Sequence, residues 1–159
     1  ENLLYSRFEL RRLSAEEIYD SLLLVAGKLK HGIGRVDSNR ALYRRIGNSH
    51  QWLEGDLFDA PSVGTITPNR TNSTVAPQAL YMLNNKMVIE SARNLAAHAN
   101  AHYRDTMSQI DYAFKALFGR RASDDELQFI HRKLNQLPTK THWQIYQALI
   151  ASNEFIYID

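Results

Sequence analysis

His98 and His102 stand four residues apart, a spacing that puts two imidazoles on one helical face and suits a metal ion. A zincin would carry Glu directly after the first histidine, and this chain does not. A third ligand would have to come from Asp105 or from a distance, so two solvated histidines at an alanine-rich helix end is the plainer reading. Cysteine is absent from all 159 residues. That removes a thiol nucleophile, a Cys-based zinc site, a disulfide framework and covalent c-type haem attachment from this chain. Asp59, followed by Ala60-Pro61-Ser62, has the chemistry of a catalytic carboxylate, but an Asp ahead of a proline more often closes a turn. The acid pairs Glu16/Glu17 and Asp124/Asp125 fall in helix first turns, where the dipole favours them. No nucleophile elbow, phosphate-cradling glycine loop or Walker pattern occurs. Gly32-Ile33-Gly34 lacks the strand context of a dinucleotide site. Between Lys28 and Arg45, six basic residues (Lys28, Lys30, Arg35, Arg40, Arg44, Arg45) stand against the single acid Asp37. Such a segment could bind a polyanion or glycan, although a solvated loop explains it as well.

The elements that must position these residues are helices. Ser14-Ala15-Glu16-Glu17 has the form of a capping box, and Ile18, Leu22, Val25 and Leu29 follow at helical spacing. This predicts a helix over about 14–30, ended by Gly32 and Gly34. Residues 31–57 read as irregular, with a short extended piece at 41–46 and a short helix near 50–58 carrying Trp52, Leu53 and Leu57. A long ordered loop runs over about 59–73. A helix then begins at Thr74–Pro77 with the apolar positions Ala76, Leu80 and Leu83, and breaks at Asn84-Asn85. The next runs over about 86–103 with the stripe Val88, Ala92, Leu95, Ala99, and its alanines would let another helix approach closely. Further boxes begin at Thr106, Ser123 and Thr141. The faces that follow are Ile110, Ala113, Phe114, Leu117 and Phe118, then Leu127, Ile130, Leu134 and Leu137, with Gly119 and Pro138 as stops. The last helix is apolar nearly all round and reads as the central one. The expectation is an all-α single domain over 1–159, a bundle of about six helices.

Composition agrees with a globular domain. The hydrophobic fraction is 44% and the charged fraction 23%, with a net charge of +2. That balance gives no general indication of nucleic-acid binding. No apolar run reaches the length of a membrane span, and no signal peptide is present. A first residue of Glu1 in place of Met gives the expectation of a C-terminal piece of a longer protein.

Four ordered motifs carry a resemblance. They are Arg11-Arg12-Leu13-Ser14-Ala15-Glu16-Glu17-Ile18; Ala26-Gly27-Lys28-Leu29 with Ala41-Leu42-Tyr43; Phe58-Asp59-Ala60-Pro61-Ser62 with Arg70, Ser73 to Leu80 and Leu83-Asn84; and Ala148-Leu149 through Ser152-Asn153-Glu154-Phe155 to Asp159. Together they resemble the planctomycete-specific domain one family, a domain of unknown function. Tyr19 stands where that family often has Arg, and Gly119-Arg120-Arg121-Ala122 lacks the proline of its usual linker. The resemblance implies the C-terminal part of an exported, periplasmic or cell-surface multidomain protein. It also implies an upstream companion domain and c-type haem, where present, in an upstream domain; this chain itself carries no cofactor. It brings no established catalytic residue.

The expected function is therefore a non-catalytic interaction or structural module whose partners are upstream domains of its own parent. Two alternatives stand beside it. One is a polyanion or glycan binder using residues 28–45. The other is part of an enzyme site shared with an upstream domain. The candidate binding or signature positions are Arg11, Asp59, Arg70, Gln78, Asn84, Asn153 and Glu154.

Overall fold

A computed structural model describes residues 10–30, 40–43, 53–61, 66 and 73–158. Arg70, Trp52, the glycines at 32 and 34 and most of the 59–73 loop lie outside the described residues. Arg11–Arg12 form a two-residue strand, β1, and Ala15–Val25 form α1. The capping box forms as the sequence predicts: Glu17 N–H donates to Ser14 Oγ at 3.3 Å and Ser14 N–H to Glu17 Oε2 at 2.8 Å. Ile18, Leu22 and Val25 are buried. However, α1 ends at Val25, well before residue 30. Gly27 takes a left-handed φ of 65°, Lys28 N–H donates to Leu23 O at 2.9 Å and Gly27 N–H to Leu24 O at 2.9 Å. This pair of bonds satisfies the last carbonyls and turns the chain out of the helix. The stop is set by a glycine inside the apolar period.

Ala41–Tyr43 form a 3₁₀ turn and not an extended piece. Asp20 holds it, accepting Ala41 N–H at 2.6 Å and Arg40 Nε–H at 3.0 Å. The short helix expected near 50–58 is α2, Leu53–Leu57. α3 spans Ala76–Asn84, and its inward face differs from the expectation. Gln78, Tyr81 and Met82 are buried, whereas Ala76, Leu80 and Leu83 face out. Tyr81 meets Phe58 edge-on at 5.5 Å, and the Gln78 amide donates to Leu57 O at 3.0 Å and Ser73 O at 3.1 Å. An aromatic edge and a carboxamide thus choose the face, against the apolar count. Asn85 makes the predicted break and caps the next helix, its side chain accepting Met87 N–H at 2.8 Å.

α4, Lys86–His102, buries Val88, Ala92, Leu95 and Ala99 as expected, along with Ser91 and Ala96. α5, Thr106–Phe118, is capped by Asp105 and not by Thr106, with Ser108 N–H donating to Asp105 Oδ1 at 2.8 Å. α6, Asp124–Gln136, has the Ser123/Glu126 box. The last predicted helix is broken in two. After a 3₁₀ turn at Thr139–Thr141 come α7, Trp143–Ile150, and α8, Asn153–Ile156. The Thr141 box does not form, because the Thr141 hydroxyl bonds Pro138 O at 2.7 Å instead.

The central helix is α4, which packs on α1, α3, α5 and, most extensively, α7. Its alanines permit that approach, while α7 leaves Gln144 and Ala148 exposed. A second, smaller cluster of Ile110, Phe114, Ile130 and Leu134 joins α5 to α6. Tyr157–Ile158 form β2, antiparallel to β1, with Arg11 opposite Ile158 and Arg12 opposite Tyr157. The protein is an all-α bundle in which eight α-helices and one two-stranded clasp are described.

Candidate functional site

Adjacent side chains in a strand leave on opposite faces. In β1 this sends Arg11 outward and Arg12 inward, where Arg12 is only 4% exposed. Arg12 Nη2 donates to Asp59 Oδ2 at 2.7 Å and, weakly, to Phe58 O at 3.4 Å, while Nη1 donates to Leu13 O at 3.2 Å. Its guanidinium lies 5.3 Å over the Phe58 ring. Asp59 sits at φ 59°, a left-handed conformation that Asp tolerates better than most residues. The Asp59 carboxylate also accepts the Ser73 N–H at 2.7 Å and the Ser73 hydroxyl at 2.9 Å. It therefore joins the two ends of the predicted loop and ties both to the strand before α1. Gln78 adds the second tie, holding Leu57 O and Ser73 O together from the first turn of α3. Thr74 and Tyr157 share a hydroxyl contact of 3.2 Å, and Leu13 N–H donates to Ile156 O at 2.7 Å. Segments from the opening, middle and closing motifs thus meet in one place.

The electrostatics of Asp59 do not favour a general base. Burial pushes its carboxyl up, but the Ser73 N–H and hydroxyl and the Arg12 charge outweigh burial and hold it below the ordinary range. A general base is most useful with a pKa near working pH, and this one is moved the other way. The turn-closing reading of Asp59 is what the geometry shows.

The remaining candidates do not join it. Arg11 makes a two-pronged pair with Glu17 at 2.8 and 2.9 Å, on the surface. The Arg11 bond, more than the Ser14 bonds, lowers the Glu17 carboxyl to about 2. Asn84 is exposed at the far end of α3, its amide donating to Leu80 O at 3.0 Å. Asn153 is exposed as the first residue of α8. Glu154 accepts Arg120 Nε–H at 2.6 Å and Nη2–H at 2.8 Å, and Arg120 also grips Glu126 at 2.8 and 2.9 Å. The Arg120 guanidinium lies 5.1 Å over the Phe114 ring. This clamp fastens α8 to the α5–α6 turn. The bond to Glu126 comes first in pushing the Arg120 pKa up, and the Glu126 carboxyl falls to about 2.

His98 packs against Gly27, where an added Cβ would lie 2.5 Å from its ring. His102 bonds through Nδ1 to His98 O at 2.8 Å and stacks on Tyr112. Both rings thus have packing roles. In the basic segment, Arg40 pairs with Asp20 at 3.0 Å and Lys28 lies 3.9 Å from Glu90, so acids from elsewhere in the chain offset part of the local charge. A hollow of about 630 Å³ opens between the start of α1 and the Ala41–Tyr43 turn. Of the three acids among its described residues, Glu16, Glu17 and Asp20, the last two are held by Arg11 and Arg40.

Sequence reasoning passed over Arg12, Ser73, Arg120 and Gln147. The last is buried in α7, and its amide donates to Leu83 O at 2.7 Å. Arg12 carried a signal in its neighbour: one arginine of such a pair must point inward, and only register with the chain's far end says which.

The PSD1 family, described as a protein of unknown function (DUF1553), matches residues 1–134, and the chain belongs to it. That bears out the resemblance to a family of unknown function over the first three motifs, while the closing motif lies beyond the match. The matched span runs from β1 into α6 and includes Arg12, Asp59, Ser73, Gln78 and Arg120. α7, α8 and β2 lie beyond it. No curated protein and no solved structure matches the chain.

Proposed function

We propose that this domain is a non-catalytic interaction module that docks on an upstream domain of its own parent through the outer face of α3. One observation carries this. Around the signature, the polar groups of Arg12, Asp59, Ser73 and Gln78 are turned inward and bonded to one another or to backbone. The apolar side chains Val75, Leu80 and Leu83 are 45%, 58% and 54% exposed. An active site has the opposite arrangement, with reactive polar groups open and apolar groups packed. An apolar helix face left in water is a common mark of a protein–protein contact. On this reading the parent is exported to the periplasm or cell surface, and c-type haem, where the parent has one, belongs to an upstream domain.

The test uses the chain and the separately expressed remainder of its parent. The wild-type chain is expected to bind that remainder. Leu80→Asp with Leu83→Asp should keep the helical circular dichroism and the thermal midpoint, because both side chains already face water, and should weaken binding by about tenfold or more. Undiminished binding in the double variant, or no binding by the wild type, removes the proposal.

A further inference from the structure

A second feature lies away from the signature. A cavity of about 230 Å³ sits where α4, α5, α6 and α7 meet the Thr139–Thr141 turn. α4 contributes Arg93, Ala96 and Asn100, and the start of the closing helical segment contributes His142, Trp143 and Tyr146. Among the described residues, no Asp or Glu lines it. The Arg93 guanidinium lies 4.6 Å over the Trp143 ring and has no carboxylate partner among the described residues. Tyr146 is 5% exposed, and its hydroxyl has no hydrogen-bond partner among the described residues. Burial alone pushes that hydroxyl up to about 12, so it remains a proton donor across the ordinary pH range. His142 Nε2 lies 3.2 Å from Leu137 O. A carbonyl only accepts, so Nε2 carries the hydrogen and the imidazole is fixed as part of the wall. A hydroxyl on a cavity wall with no protein partner keeps its hydrogen-bonding capacity for solvent or a ligand.

We propose that this cavity binds a small organic monocarboxylate. A guanidinium matches a carboxylate in charge and in planar geometry. The Tyr146 hydroxyl and the Asn100 amide are further donors on the same wall. Ala96, Leu134 and the Trp143 ring suit the apolar end of the molecule. One uncompensated cation calls for one negative charge, and the volume admits a molecule about the size of a single substituted ring. The proposal stands independently of docking through α3.

Benzoate, with benzamide as its neutral isostere, is the direct probe. In an NMR titration of the whole chain, benzoate should shift the Trp143 indole and Asn100 side-chain signals saturably, with a dissociation constant of about 1 mM or tighter. Benzamide should bind at least about tenfold more weakly. Arg93→Gln should lower benzoate affinity by about tenfold or more with only a small fall in the thermal midpoint, since Arg93 is exposed and loses only its contact with the Trp143 ring. Tyr146→Phe should weaken binding about threefold to tenfold while leaving the midpoint unchanged, because no described protein group bonds the hydroxyl it deletes. A merely structural tyrosine would instead lower the midpoint. Equal binding of benzoate and benzamide, no saturable shift, or full affinity in Arg93→Gln overturns the proposal. Inorganic phosphate binding as tightly as benzoate overturns the assignment to carboxylates.

Discussion

Arg12 and Asp59 form a pair whose halves are unequally sheltered: the Arg12 side chain is 3% exposed and that of Asp59 20%. Removing one partner leaves the other charged in poor solvent, which costs more than the pair contributes. Arg12→Ala should therefore destabilise the fold by about 2–4 kcal/mol, below the full buried-pair figure because water still reaches Asp59. Asp59→Asn keeps the left-handed backbone but strands the guanidinium, at a cost of about 2–3 kcal/mol. Combining Arg12→Ala with Asp59→Asn leaves no charge behind, so the double variant should be more stable than the sum of the singles by at least about 1 kcal/mol. Urea unfolding of the four proteins measures the coupling, and strict additivity would refute it. At this scale the sequence was half legible. Asp59 stood out as a residue that closes turns and proved a tie, whereas Gln78 and Glu154 stood out only as signature positions, and each also makes a tie. Arg12 did not, because its inward direction depends on pairing with Tyr157 at the opposite end of the chain. Local periodicity carries no trace of that contact.

Helix existence was legible for the same reason that it is stable: caps and apolar periods are local. Faces and ends were less so where a tertiary contact overrode the local pattern. The two described glycines with positive φ show the difference. Gly119 ends α5 at φ 69° with nothing within 4 Å of a notional Cβ, so Gly119→Ala meets backbone strain alone. That should cost about 1–2 kcal/mol. Gly27 has the same backbone conformation, but a Cβ there would lie 2.5 Å from His98 Cε1. Gly27→Ala should cost about 1–3 kcal/mol more than Gly119→Ala, the usual range for overpacking. Adding His98→Ala should relieve the clash and leave the strain, so its effect in the Gly27→Ala background should be smaller than in wild type, or favourable. Thermal melts of the set decide this. Equal losses at the two glycines would show that His98 yields freely. The inverted face of α3 has a similar origin. Tyr81 and Gln78 turn inward because Phe58, Leu57 and Ser73 lie there, and only the folded loop ends supply those partners.

Across the whole molecule, ionised carboxylates close contacts between one element and the next or a distant one. Glu17 holds β1 to α1, Glu126 and Glu154 hold α8 to the α5–α6 turn through Arg120, and Asp59 joins β1, the loop ends and α3. The folded-state carboxyls of Glu17 and Glu126 lie near 2, against an ordinary value of 4.5, and that of Asp59 is also lowered. A group depressed in this way stabilises the fold fully above its unfolded pKa and loses that contribution as pH falls towards its folded pKa. Stability should therefore be level from neutral pH to about 5 and then decline towards 2. The Glu17 and Glu126 side chains are 40% and 34% exposed, so solvent screening limits each to about 1 kcal/mol or less. Asp59, more sheltered, should contribute the larger share. Glu17→Gln with Glu126→Gln should lower neutral stability slightly and flatten the acid decline, while Asp59→Asn should flatten it more. Added salt at about 1 M should mimic the glutamate variants, because it screens exposed pairs and reaches the Arg12–Asp59 contact poorly. Denaturant unfolding as a function of pH supplies the measurement. An acid limb of unchanged slope in both sets of variants would mean that other carboxylates govern it, and the arginine clamps would then be geometry without stabilising weight.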